Sequence, residues 1–201
     1  AGVGATIIAT FAGYAIATMR FPGRNALLAV TLAFMSIPST VITVPLFLMY
    51  SKIGLVGTPW AVIIPQLATP FGLYLMIIYA QTSIPVSLIE AAKLDGASTW
   101  TIFWKVGFPL LSPGFVTVLL FTLVGVWNNY FLPLIMLSDT NDYPLTVGLN
   151  MWLKMGAQGT ANGQVPNNLI ITGSLIAVVP LIIAFMFLQK YWQSGLAAGS
   201  V

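Results

Sequence analysis

Five long apolar runs, at about 1–19, 26–50, 60–80, 106–137 and 167–189, constrain this chain more than any short motif in it. Each is close to the roughly 20 residues that a helix needs to cross a hydrocarbon core of about 30 Å. No charged residue lies deep inside any of them. With 58% hydrophobic and 5% charged residues and a mean hydropathy of +0.95, the 201 residues cannot cover a water-facing surface of ordinary polarity. The reading is an integral membrane protein, an all-α polytopic helical bundle of five spans in a lipid bilayer. Pro38 and Pro45 in the second run, Pro65 and Pro70 in the third and Pro133 in the fourth predict kinked or interrupted helices.

The first run carries a small residue at every fourth position, Ala1, Ala5, Ala9, Gly13 and Ala17, which makes a smooth ridge for close helix packing. The run starts at Ala1 with no charged region before it, so the chain reads as a fragment lacking its natural N-terminus. Charge placement sets the orientation. With alternating spans, Arg20, Arg24, Lys93, Lys105 and Lys190 share one side and Lys52 and Lys154 the other, so the first side is expected to be cytoplasmic. Asp139 and Asp142 then lie outside, in a Gly-, Asn- and Gln-rich extracytoplasmic loop over 138–166.

The residue inventory excludes much chemistry. Without cysteine or histidine there are no disulfides, thiol nucleophiles, usual zinc sites or imidazole acid–base groups, and no catalytic residue, metal or cofactor is expected. Seven basic residues are too scattered for a nucleic-acid footprint. No GxxxxGK[ST] loop occurs, so nucleotide is not hydrolysed here by the usual route. No acid lies inside a span, which weakens a proton- or sodium-coupled mechanism, so a driven transporter would take its energy from a partner. The polar groups within spans are Gln66, Asn128 and Asn129, with hydroxyls such as Ser36, Ser39, Thr40, Thr43, Thr69 and Thr122. Beside Trp127 and Tyr130, the amides offer hydrogen bonds and aromatic faces to an uncharged, hydroxyl-rich solute. The same groups serve equally well to satisfy one another or the ends of broken helices.

One stretch, 83–98, is polar in an otherwise membrane-grade chain. Pro85 suits a first helical position and Gly96 the left-handed residue that closes a helix, so about three turns are predicted between them. Helical spacing puts Ile84, Leu88, Ala91, Ala92 and Asp95 on one face, where the alanines permit close approach of another surface. A helix lying on lipid would show more basic residues and larger apolar ones, so docking to a soluble partner is the favoured reading.

Glu90-Ala91-Ala92, three residues, Gly96, nine residues and Val106-Gly107-Phe108-Pro109 resemble the EAA loop of binding-protein-dependent ABC importer permeases, with apolar swaps at Val106 and Phe108. Together with FPGRNALL, IEAAKLDGAS, WNNYFLPL and LQKYWQSGLAAGSV, in family order, the chain resembles the MalG-type inner-membrane subunit of carbohydrate importers. The resemblance implies an ABC importer type I permease core over 1–201, with the family's first span missing. It implies that 83–98 is the cytoplasmic coupling helix, with Glu90, Ala91, Ala92, Leu94, Asp95 and Gly96 at the ATPase and Pro109 opening the next span. The implied partners are cytoplasmic ABC ATPase subunits, a second permease and an extracytoplasmic solute-binding protein. It further implies that the 138–166 loop contacts the binding protein, that the C-terminal tail touches the ATPase, and that the location is a bacterial or archaeal plasma membrane. Alternating access driven by ATP is the implied mechanism. A non-transporting scaffold that recruits a cytoplasmic partner through the same helix, or a secondary transporter, are the alternative readings.

Overall fold

The computed structural model describes residues 1–157 and 167–197, and every regular element among them is helical. In chain order these are α1 (Gly2–Thr18), α2 (Arg24–Met35), α3 (Ser39–Lys52), α4 (Trp60–Gln66), α5 (Pro70–Ser83) and α6 (Val86–Leu94). A single turn, α7 (Thr99–Ile102), leads through a π-helical turn (Phe103–Gly107) into α8 (Phe108–Trp127). There follow α9 (Phe131–Met136), α10 (Leu145–Ala157) and α11 (Asn167–Ala197). They form two compact units. One holds 1–37, 66–123 and the described residues from Leu188 onward, and the other holds 38–65 and the described residues of 124–187.

The five apolar runs resolve unequally. Trp60–Ser83, Thr99–Trp127 and Asn168–Lys190 are long and apolar enough to cross a membrane, and α2 with α3 counts as a fourth span if taken as one broken span. The first run, α1, is an apolar helix of 17 residues, somewhat short of a full crossing.

Where the runs break follows from proline and from side-chain caps. The second breaks just before Pro38, as expected, because the residue preceding a proline is pushed out of the helical region. The third breaks between Gln66 and Pro70, where the Thr69 hydroxyl accepts the Gly72 N–H at 3.2 Å and Pro70 takes a first-turn position that needs no N–H. The fourth departs from expectation at both ends. It begins at Thr99, with Pro109 inside a continuous helix rather than opening it. The π-helical turn ends two residues before Pro109, and its wide spacing, with Phe108 N–H bonded to the Phe103 carbonyl, gives the chain room for a proline ring. At the other end the helix stops at Trp127, ahead of Pro133, which lies within α9. The 138–166 stretch is not all loop either. A 3₁₀ turn at Thr140–Asp142 is followed by α10, whose Leu145, Leu149, Trp152 and Leu153 recur at helical spacing. Residues 158–166 lie outside the described residues.

The first unit is built on the packing of α1 against α5. The small-residue ridge serves within this chain: Ala5, Ala9 and Gly13 are buried, and Ala17 is half-buried. At Gly13 the approach is so close that a Cβ would lie 2.6 Å from the Met76 Cβ and 3.1 Å from the Met76 carbonyl carbon. Polar groups in this seam are satisfied locally. Thr6 Oγ1 donates to the Gly2 carbonyl at 2.9 Å and lies 2.8 Å from Thr122 Oγ1 on α8, and Thr10 Oγ1 donates to the Thr6 carbonyl at 2.7 Å. The core continues through Met76, Ala80, Ile84, Ile89, Ile102, Phe103, Leu111 and Val118. In the second unit, Tyr50, Ala61, Val62, Leu132, Met136 and Leu137 form the core, and the Gly57 N–H donates to the Met136 carbonyl at 2.8 Å.

Gly13→Ala should therefore lower the stability of the full-length protein by about 1–3 kcal/mol through overpacking, read as a drop in its thermal midpoint in detergent. Gly125→Ala, with no atom within 4 Å of the added Cβ, should leave the midpoint unchanged or raise it.

Candidate functional site

The site assembles around α6. The chain leaves α5 through extended backbone at Ile84 and Pro85, and Pro85 stands just before the helix as its N-cap rather than as its first residue. The helix therefore spans nine residues, not three full turns. Its C-terminal end is closed by two backbone bonds: Gly96 N–H to the Lys93 carbonyl and Ala97 N–H to the Ala92 carbonyl, both at 3.0 Å. This is a Schellman closure, and it requires the left-handed conformation found at Gly96, φ +77°. Nothing lies within 4 Å of a Cβ built on Gly96, so the constraint there is conformational, not one of space. Ser98 then caps α7, its hydroxyl accepting the Thr101 N–H at 3.2 Å.

The buried face of α6 differs from the expected one. Ile89, at 8% exposure, is the anchor, joined by buried Ile84 and half-buried Ala92. Leu88, Ala91 and Asp95, assigned from spacing to the same face as Ile84 and Ala92, point outward instead. The physical reason is size: Ile89 buries far more apolar area against Ile84, Ile102 and Phe103 than the alanines can, and its position sets the rotation of the helix. The outward face carries Leu88, Ala91, Leu94 and Asp95, with Glu90 on its flank, and Leu94 is 89% exposed. Glu90 and Asp95 make no ion pair among the described residues.

Beneath α6 and α7 lies a block of aromatic rings. Phe103, 3% exposed, is its centre: Phe11 stacks on it at 4.7 Å between centroids, Tyr14 meets it edge-on at 5.0 Å, and Trp104 at 5.1 Å. Trp100 stacks on Phe11 at 5.7 Å, and Phe108 packs on Trp104 at 5.3 Å. Such pairs add roughly 0.5–1.5 kcal/mol each beyond burial. Ile89 and this block are the parts of the site that motif reading passes over. Aromatic residues at 100, 103, 104 and 108 repeat at helical spacing and were the available signal.

The amide and aromatic group is arranged differently. Gln66 is the half-buried last residue of α4. Trp127 Nε1 donates to the Ala177 carbonyl at 3.1 Å, Asn129 Oδ1 accepts the Leu132 N–H at 3.3 Å, and the Tyr130 hydroxyl lies 3.4 Å from Lys154 Nζ. Asn128 is exposed. The span hydroxyls bond to their own helices: Ser36 to the Leu32 carbonyl, Thr43 to that of Ser39 and Thr122 to that of Val118. Among the described residues no three Asp or Glu side chains gather where a metal ion could sit.

Residues 5–197 match the family model for the binding-protein-dependent transport system inner membrane component. The chain is 32% identical, over 97% of its own length and 67% of the relative's, to the arabinooligosaccharides transport system permease protein AraQ of Halalkalibacterium halodurans. It is 31% identical, over 97% of its length and 69% of the relative's, to the melibiose/raffinose/stachyose import permease protein MelC of Bacillus subtilis. Among solved structures it is similar to a chain of a bacterial ABC transporter involved in the import of the acidic polysaccharide alginate. That match has a TM-score of 0.77 and 28% identity, and covers 94% of this chain and 69% of the other. The chain thus spans about two thirds of the length of the relatives it matches.

Four substitutions separate the anchor of α6 from its closure. Ile89→Ala should cost about 2–5 kcal/mol of local stability and speed amide exchange across Val86–Ala97, whereas Leu94→Ala on the exposed face should leave exchange unchanged. Gly96→Ala should cost about 1–2 kcal/mol and Gly96→Asn less, since asparagine tolerates the left-handed region. Hydrogen–deuterium exchange of the full-length protein reads all four.

Proposed function

The chain belongs to the binding-protein-dependent transport system inner membrane components, and from that membership we propose that it is the membrane-spanning permease subunit of an ATP-driven importer of a sugar or oligosaccharide. Helix α6 is the coupling helix. Its outward face, with Leu88, Ala91, Leu94, Asp95 and the flanking Glu90, docks into a cytoplasmic ABC ATPase subunit, while Ala92 and Gly96 set its depth and its end. The observation that carries this reading is a short helix with an apolar and acidic face left open to solvent, yet fixed from behind by Ile89 and closed by the bonds at Gly96. A face held in position but covered by none of the described residues is ready for a partner.

In this reading hydrolysis takes place on the separate ATPase, and this subunit catalyses nothing. A second permease completes the pathway, and an extracytoplasmic binding protein delivers solute at the side bearing the 138–166 stretch. The C-terminal tail touches the ATPase, and its last residues, 198–201, lie outside the described residues. The assembly sits in a bacterial or archaeal plasma membrane. Closure of the ATPase pulls on α6 and turns the cavity outward, and hydrolysis resets it. The class of solute is taken from the relatives, which are named for arabinooligosaccharides, for melibiose, raffinose and stachyose, and for alginate. Gln66, Trp127, Asn128, Asn129 and Tyr130 are assigned to the solute path. Asn128 leads this group, because its amide is exposed and makes no side-chain hydrogen bond among the described residues, and Tyr130 offers it an aromatic neighbour.

The test uses the full-length subunit reconstituted in proteoliposomes with its ATPase, second permease and binding protein. Glu90→Lys should weaken docking by roughly 10- to 100-fold, as expected for loss of a charge-assisted contact, with uptake and solute-stimulated hydrolysis falling together and membrane insertion intact. Normal uptake by this variant, or uptake that survives without ATP and collapses with the proton gradient, would overturn the proposal.

A further inference from the structure

A cleft of about 690 Å³ opens behind α6, walled by the end of α1, the first residue of α2, the end of α5 and α6 itself. Its walls mix two chemistries. Exposed Val86 and half-buried Met19 present apolar surface, while Arg20, Arg24 and Lys93 bring three cations against the single carboxylate of Glu90. Arg24 is the telling residue. One end of its guanidinium reaches back to the Ala17 carbonyl, Nη2 to O 3.4 Å, but its Nε is buried with no acceptor among the described residues. A buried donor of this kind costs about 1–3 kcal/mol when left unmade, more when it belongs to a charged group. The loop Arg20–Ala26 lines a second, smaller pocket of about 260 Å³ beside it.

The depth of the cleft decides what sort of anion suits it. Apolar α1 ends at Thr18 and the long apolar helix Trp60–Ser83 ends at Ser83, and both of these ends border the cleft. In a bilayer such ends lie where hydrocarbon gives way to headgroups. A small soluble anion would satisfy the cations and leave the exposed Val86 and half-buried Met19 without a partner. A phospholipid matches both halves.

We propose that this cleft binds the phosphate headgroup of an anionic phospholipid, with Arg24 and Arg20 on the phosphate and Val86 and Met19 against the glycerol and upper acyl chains. An arginine fork suits a phosphate better than an ammonium does, and the Nε of Arg24 is one of the two donors that such a fork uses. The inference rests on the chain spanning a membrane and not on what it transports.

The experiment is native mass spectrometry of the full-length protein, titrated in detergent with phosphatidylglycerol, phosphatidylcholine or inorganic phosphate. The wild type should retain phosphatidylglycerol over phosphatidylcholine, and inorganic phosphate should not displace it. Arg24→Gln and Arg20→Gln should each lower retention about fivefold, as removal of one cation near an anionic headgroup implies, and Lys52→Gln should not. If Arg24→Gln fails to fold, the exposed Arg20 and Lys93 carry the test alone. Equal retention of the two lipids, retention unaffected by Arg20→Gln and Lys93→Gln, or displacement by inorganic phosphate would overturn the proposal. So would variants that keep the lipid but lose the copurifying ATPase, because the cations would then serve a carboxylate of that partner. No outcome depends on measuring uptake, so the proposed transport role can fail independently.

Discussion

The close contact of α1 with α5 is the constraint on which the rest of the first unit depends. Gly13 brings the two backbones to within van der Waals range of each other at Met76, closer than any residue with a Cβ permits. From that contact each helix carries part of the site. The α5 side leads through Ala80 to Ile84, which hands the chain to α6. The α1 side supplies Phe11 and Tyr14, the rings against which Phe103 packs. The exposed helix is thus fixed from two directions by one seam. In a medium where apolar side chains gain little by leaving lipid for protein, such shape fit between backbones has to provide much of what burial provides in water.

The seam also has to solve a polar problem, because threonines at 6, 10 and 122 bring hydroxyls into it. Each is satisfied within a turn of its own helix, and Thr6 and Thr122 also meet across helices. Hydroxyls that close on their own backbone carbonyls add no unmet donor to an apolar interior. The same economy appears at Thr69, whose side chain supplies an acceptor where α5 begins. The polar residues of the spans therefore act largely as structural fasteners. Among the described residues Asn128 is an exception, its side-chain amide exposed and without a hydrogen bond.

Much of this organisation was legible in the sequence, and the remainder was hidden for identifiable reasons. The small-residue ridge, the break before Pro38 and the left-handed Gly96 are local features, decided by a few neighbouring residues. The face of α6 was misread because the alanine pattern suggested close approach on the side that holds Leu88 and Asp95, while a single β-branched residue, Ile89, controls the rotation through contacts distant in sequence. Pro109 looked like a helix start because proline suits one, and nothing local announced the wide turn ahead of it. Helix α10 was submerged in a stretch whose Gly, Asn and Gln content reads as loop, although its leucines and Trp152 keep helical spacing.

The wide turn at Phe103–Gly107 has a further effect, best put in terms of phase. Along α8 the buried positions include Leu111, Gly114 and Val118. Projected backward at about 100° per residue, an unbroken α-helix would continue that stripe through Gly107 and Trp104 to Trp100. The π-helical turn accommodates one extra residue, and the stripe slips by one place from Trp104 onto Phe103, beside the buried Ile102. Phe103 is consequently driven into the core, while Trp100 and Trp104 are rotated out and remain 61% and 45% exposed. A slip of one residue thus turns two indoles to the outside at the end of a membrane-length helix, the level at which such amphipathic rings hold a helix against the bilayer surface.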